Sequence, residues 1–154
     1  MDQLSLGDVH IHRIEEWQGV FLSPQQLFTG FDEADYARVK TQAPEGTLDT
    51  GNDEIHARLQ SWVVEINGMK VLIDTGAGNH KERPGIPLFG QLETPFIERL
   101  AAAGFAPEDI DMVICTHLHV DHVGWNTKLE GDAWVPAFPR ARYIFSAADA
   151  EYWN

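Results

Sequence analysis

The sequence is poor in cysteine, in long apolar runs and in positive charge, and each shortage excludes something. One cysteine in 154 residues cannot build an intramolecular disulfide framework. No apolar run reaches the ~18 residues of a membrane-crossing helix. The N-terminus MDQLSLGDVH has neither a basic region nor an apolar core, so it does not read as a secretory signal, and the cytoplasm is the expected location. Lys and Arg number 11 against 24 Asp and Glu, a net charge of −13. That balance argues against a nucleic-acid backbone or an anionic membrane as partner. Repeats and low-complexity segments are absent. With 44% hydrophobic and 23% charged residues, the composition is that of a globular domain, or of part of one.

Residues 8–22 (DVHIHRIEEWQGVFL) alternate as a strand does, through Val9, Ile11 and Ile14. Residues 23–56 are rich in turn formers and acids. They read as a long loop with one short helix near 32–40, whose acidic start, Asp32-Glu33-Ala34-Asp35, suits the helix dipole. LQSWVVEI (59–66) and MKVLIDTG (69–76) flank Asn67-Gly68, the strongest short hairpin signal. Residues 77–93 form a second loop. A helix should follow, capped by Thr94, with Pro95 in its first turn, Gly104 past its end, and Phe96, Ile97, Leu100 and Ala101 on one face. DIDMVICTH (109–117) reads as a short buried strand, which completes a strand–helix–strand unit. A polar loop leads to another strand at 141–146. Ser146 and Asp149 resemble a capping box opening a last helix, whose Tyr152 and Trp153 have little to bury against. That ending is expected for a chain cut through a domain.

The segment that carries chemistry is Thr116-His117-Leu118-His119-Val120-Asp121-His122-Val123-Gly124. It lies just past the end of a buried strand, where α/β sheets gather ligands. Imidazole and carboxylate are donors that borderline cations such as zinc accept. In extended backbone His117 and His119 point to one side. A turn near Asp121 would bring Asp121 and His122 to a neighbouring point, so one segment could serve two adjacent metals.

These residues resemble a known family. His117-x-His119-x-Asp121-His122 is similar to the HxHxDH signature of the metallo-β-lactamase-fold metallohydrolases. Asp74-Thr75-Gly76 resembles their "DTG" strand, and Ile110-Asp111-x-Val113 is also typical. The string THLHVDHVGWN resembles the branch of quorum-quenching lactonases and methyl-parathion-hydrolase-like enzymes. Over roughly residues 59–154, the resemblance implies an α/β (α+β) fold, the N-terminal half of an αββα sandwich. The chain is then one domain, 1–154, with an N-terminal strand and loop (1–58) and a motif-bearing part (59–154).

The resemblance further implies a dinuclear metal site, usually zinc, with other divalent metals as alternatives. His117 and His119 would serve one metal, and Asp121 and His122 the other. A bridging hydroxide would attack a small-molecule lactone, ester or organophosphate-like substrate, with Asp121 as the catalytic residue that orients it. Asp74 would be an outer partner of the ligands, the alternative being a turn aspartate bonded to its own backbone. The family also uses two later histidines and a bridging aspartate, whereas no histidine follows His122 here. Two protein ligands per metal is short of the three usual at catalytic zinc. The expectation is that these 154 residues alone hydrolyse little or nothing. The alternative is a non-catalytic half-domain that binds metal weakly or self-associates through an unburied core face.

Other polar groups read more plainly. His10 and His12 share one side of an exposed strand. His56 and His80 are loop histidines, solvated or touching substrate. Cys115 is a small core residue. Trp125 and Asn126 either line the pocket or pack beneath the loop. Trp17, Phe21, Phe28 and Phe31 belong to the core or to an apolar substrate wall. Gly76 and Gly78 lack the context of a phosphate-binding loop.

Overall fold

The computed structural model describes residues 2–49 and 51–154. The chain divides into two compact units, one of residues up to Trp17 together with Leu59–Asn154, the other Gln18–Arg58.

The elements in chain order are β1 (Gln3–Leu6), β2 (Val9–Leu22), α1 (Pro24–Leu27), α2 (Glu33–Lys40), β3 (Leu48–Asp49), β4 (Glu54–Ile66), β5 (Met69–Ile73), α3 (Phe96–Ala102), β6 (Met112–Ile114), β7 (Thr127–Glu130), β8 (Ala133–Pro136), β9 (Arg142–Ile144) and α4 (Ala147–Trp153). The main sheet runs β1-β2-β4-β5-β6-β9, with β3 joined to β4. β4 and β5 are antiparallel, with Ile66 opposite Met69 across Asn67-Gly68, whose φ values are 51° and 76°. That is the positive-φ pair a tight hairpin requires. β6 is parallel to both β5 and β9.

Three local expectations are corrected. β4 begins at Glu54 rather than 59, so the long loop is shorter and carries α1 and the β3 pairing besides the helix at 33–40. The region after the histidine loop is not all loop, because β7 and β8 form a separate hairpin across Gly131-Asp132. Gly7-Asp8 joins β1 to β2 in the same way. Both glycines have φ near +60° (62° and 60°), and Gly first in a two-residue loop is itself a hairpin signal. Finally, Thr94 does not cap α3. Pro95 takes that position without a side-chain bond, and the Thr94 hydroxyl goes to Asn79 Oδ1 (3.1 Å) and Glu16 Oε1 (3.4 Å).

The far end of α3 follows expectation. Gly104 N–H reaches the Ala101 carbonyl and Phe105 N–H the Leu100 carbonyl, with Gly104 at φ 97°. This is a Schellman end, and its accompanying apolar contact is Phe105 on the core. Phe96 and Leu100 are fully buried, whereas Ala101 is exposed. The core joins them to Ile14, Val63, Leu72, Val113 and Phe138.

Ser61 is fully buried on β4, and among the described residues its hydroxyl has no partner. An unpaired buried hydroxyl costs about 1 kcal/mol or more. Ser61→Ala should therefore raise stability by about 1 kcal/mol, read as a higher urea midpoint at unchanged slope. A lower midpoint would mean that the hydroxyl is satisfied in solution.

The unit Gln18–Arg58 is held by local chemistry. Ser23 and Gln26 form a reciprocal capping box at α1, and Asp32 caps α2 by accepting from Asp35 N–H. Lys40 pairs with Asp53, which also accepts from the Tyr36 hydroxyl (3.2 Å). Phe28 is 56% exposed, outside any core. No helix among the described residues is long and apolar enough to cross a membrane.

Candidate functional site

β5 and β6 are parallel and in register, Ile73 beside Ile114. The loops that leave their carboxyl ends, 74–78 and 115–124, therefore emerge side by side. Backbone bonds lace them together. Asp74 N–H donates to the Ile114 carbonyl (2.9 Å), Thr75 N–H to His122 (2.8 Å), Gly124 N–H to Gly76 (2.7 Å) and Trp125 N–H to Thr75 (2.8 Å).

Asp74, at φ 56°, ties the loops through its side chain. Oδ1 accepts Thr116 N–H (2.7 Å), while Oδ2 accepts the Thr116 hydroxyl (2.8 Å) and His122 Nδ1 (2.8 Å). Burial alone would raise its carboxyl, but the bonds from His122 and Thr116 outweigh burial and hold it below the ordinary aspartate range.

The four motif side chains collect at this edge. The His117 ring lies 4.6 Å from that of His119 and 3.9 Å from that of His122. Asp121 Oδ2 lies 3.4 Å from His122 Nε2. With Asp121 on one ring nitrogen and Asp74 on the other, His122 is pushed up to about 9, and its partnership holds Asp121 below the usual carboxylate range. Asp74 occupies Nδ1, which leaves Nε2, beside the Asp121 carboxylate, as the ring nitrogen that could take a cation. Three imidazoles and a carboxylate are a donor set that suits a borderline divalent cation. The His119 ring also meets Trp153 of α4 edge-on at 6.2 Å.

The residue that sequence reasoning missed is Glu16. It is 1% exposed, two residues after the buried Ile14 on β2, so strand alternation turns both inward. A charge at an inward position was the available signal. Its carboxylate accepts N–H bonds from Ala77 (2.7 Å) and Gly78 (2.9 Å) and from the Trp125 indole (2.7 Å). Burial pushes its carboxyl above the ordinary glutamate range, against the pull of these donors. Glu16 thus holds the 74–78 loop, which in turn holds the histidine loop. Trp125 packs beneath, 6% exposed and stacked on Phe96 at 5.5 Å.

The remaining polar groups have ordinary partners. His12 bonds Glu65 (2.9 Å) and His10 bonds Ser5 (2.8 Å). Cys115 is buried and in no disulfide, its sulfur accepts from Asn126 Nδ2 (3.4 Å), and burial pushes its thiol up. Among the described residues, the trio whose donor atoms all lie within 4.8 Å is Asp49, Glu54 and His56 rather than the motif set. Asp49 there is already committed to the turn, accepting from Gly51 N–H (2.8 Å) and Asn52 Nδ2 (3.0 Å).

A mixed sheet with ligand-type side chains at the paired carboxyl ends of parallel strands defines the class, an α/β protein with its site at the strand edge. The pattern described as the metallo-beta-lactamase superfamily matches residues 60–154, and the chain belongs to that superfamily. It is 35% identical to the N-acyl homoserine lactonase AiiB of Agrobacterium fabrum, over 43% of this chain and 28% of that one. The solved hydrolase AbOPH of the beta lactamase superfamily matches 98% of this chain and 46% of its own, at 27% identity and TM-score 0.72. AidC, a dizinc quorum-quenching lactonase, matches 98% and 46% at 19% identity and TM-score 0.73, a likeness of fold. The chain thus shares the metallo-β-lactamase sandwich while spanning less than half the length of each of these relatives.

Proposed function

We propose that the 117–122 loop is the first part of a divalent-metal site, and that the protein to which it contributes is a metal-dependent hydrolase. The observation that carries this reading is the lacing of His122 to Asp74 at the paired ends of β5 and β6. His117 and His119 would hold one cation and Asp121 and His122 a second, zinc being the first choice. A bound divalent cation lowers the pKa of water to about 7 and polarises a carbonyl or phosphoryl oxygen. Asp74 fixes the His122 ring so that Nε2 faces the site, and Glu16 and Trp125 keep the loop rigid beneath it. A lactone is the preferred substrate class, with esters and organophosphate-like compounds as alternatives. The lactonase activity named for AiiB supports that choice.

Two protein ligands per metal should not sustain turnover, so this chain alone should bind zinc without efficient lactone opening. Calorimetric zinc titration and a pH-stat assay on an N-acyl homoserine lactone test both statements. His119→Ala should weaken zinc binding by at least about tenfold, the scale seen even when only a ligand's outer partner is lost. Equal zinc affinity in parent and variant would overturn the site. Rapid lactone opening by this chain alone would overturn the ligand-count argument.

A second reading, a half-domain that assembles with another chain, is supported by the edge formed by β9 and α4. β9 ends the strand order, Phe145 is 48% exposed, and Tyr152 and Trp153 are 79% and 59% exposed. Such an apolar edge favours association. Sedimentation as a concentration-independent monomer would refute it.

A further inference from the structure

The segment 80–83 and the β7–β8 hairpin border an open cleft of about 520 Å³, away from the contacts described for the histidine loop. Lys81, Arg83 and Trp134 all line it. Lys81 Nζ donates to the Thr127 hydroxyl (2.6 Å) and carbonyl (3.2 Å) and sits 3.6 Å from the centre of the Trp134 ring. Lys81 is thereby a clip between segment and hairpin.

Arg83 is not explained in this way. Its Nε is buried with no partner among the described residues, and its guanidinium makes one long bond, Nη1 to the Glu82 carbonyl at 3.4 Å. The acid in the cleft, Glu82, accepts from Gln91 Nε2 (2.7 Å), and no ion pair joins it to either base. In a chain with 24 acids and 11 bases, two neighbouring bases in a cleft whose one carboxylate, Glu82, is turned to Gln91 are out of keeping with the overall balance. Both are penalised: burial and Arg83 push Lys81 down to about 8, and burial lowers Arg83. An unpaired buried donor on a cation is costly, and an oxyanion is what relieves it.

We propose that this cleft is an oxyanion-binding site, which takes a carboxylate or phosphoryl group on Arg83 and Lys81 with Trp134 as its flat wall. Arg83 supplies the forked donors that match either group, and Lys81 supplies a point charge held in place by Thr127 and the indole. The cleft volume lies within the range of small-ligand sites. None of this depends on the metal reading.

The test follows the Arg83 Nε–H and Trp134 indole N–H signals by ¹⁵N NMR on the full chain, freed of metal by chelation, at low ionic strength. Inorganic phosphate, benzoate and chloride are the probes. A saturable shift with phosphate, with benzoate or with both, and none with chloride, is the expected result. Phosphate alone identifies a phosphoryl site, benzoate alone a carboxylate site, and both a general oxyanion site. Arg83→Gln and Lys81→Met should each weaken binding about tenfold, the loss of one charge-assisted bond. If Arg83→Gln fails to fold, Arg83→Lys keeps the charge without the fork and should still bind more weakly. Shifts that never saturate, that chloride reproduces, or that persist at equal affinity in the Arg83 variants would overturn the proposal.

Discussion

Replacing Glu16 by alanine should lower the unfolding free energy by about 3 kcal/mol or more. Three N–H donors, from Ala77, Gly78 and the Trp125 indole, converge on this one carboxylate in a fully buried position. Each orphaned donor costs about 1–3 kcal/mol, against a total stability of roughly 5–15 kcal/mol for an ordinary domain. Relief of the buried charge offsets part of that loss. Glu16→Gln separates the two effects. Oε1 accepts from Gly78, Trp125 and Thr94, whereas Oε2 accepts from Ala77 alone. The amide NH₂ would therefore go to the Oε2 position and face the Ala77 N–H, at a cost of about 1–3 kcal/mol. Urea denaturation should rank parent, glutamine and alanine in that order. An alanine variant within 1 kcal/mol of the parent would show that the 74–78 loop is held by something else.

Gly124→Ala should be as damaging for a purely steric reason. Gly124 donates its N–H to the Gly76 carbonyl at 2.7 Å, which draws the two backbones together. A Cβ at 124 would run into the Ala77 carbonyl group and the Gly78 nitrogen, and a Cβ at Gly78 would come within 2.6 Å of the Gly124 backbone. These are backbone atoms in two laced loops, so neither side can give way as a flexible side chain would. Forcing the loops apart should cost at least about 3 kcal/mol, the upper end for overpacking. It should also displace the His122 carbonyl from Thr75 N–H. Gly85 is the control, because a Cβ there meets nothing within 4 Å and its φ is not positive. Gly85→Ala should change stability by less than about 0.5 kcal/mol. Thermal melts of the two variants decide the matter, and similar melts would mean that the close approach at 124 is absent in solution.

The parts of this protein legible in the amino-acid order are those whose physics is short-range. Asn67-Gly68 makes its hairpin because both residues tolerate positive φ. Gly104 ends α3 because only the last turn of the helix is involved, and Ser146 opens α4 by accepting from Asp149 N–H three residues on. The motif His117–His122 stands out as a candidate site for the same reason, as its side chains lie in one short segment. Two Gly-Asp hairpins were equally local, at Gly7 and Gly131, and their glycine-first signal was present though weaker than Asn-Gly.

What composition and spacing left open depends on residues far apart along the chain. Thr94 has the chemistry of a helix cap, yet its hydroxyl turns to Asn79 and Glu16, 15 and 78 residues away. Glu16 reaches Trp125 across 109 positions, and Gly124 is required because the backbone of 77–78 passes over it. A buried carboxylate satisfied by distant N–H groups looks, in one dimension, like any surface acid. Residue order names the groups that can bind a cation. Chain packing sets which carboxylate stiffens their loop and how tightly the two strand-end loops close, because those energies arise from contacts that exist only once the sheet has formed.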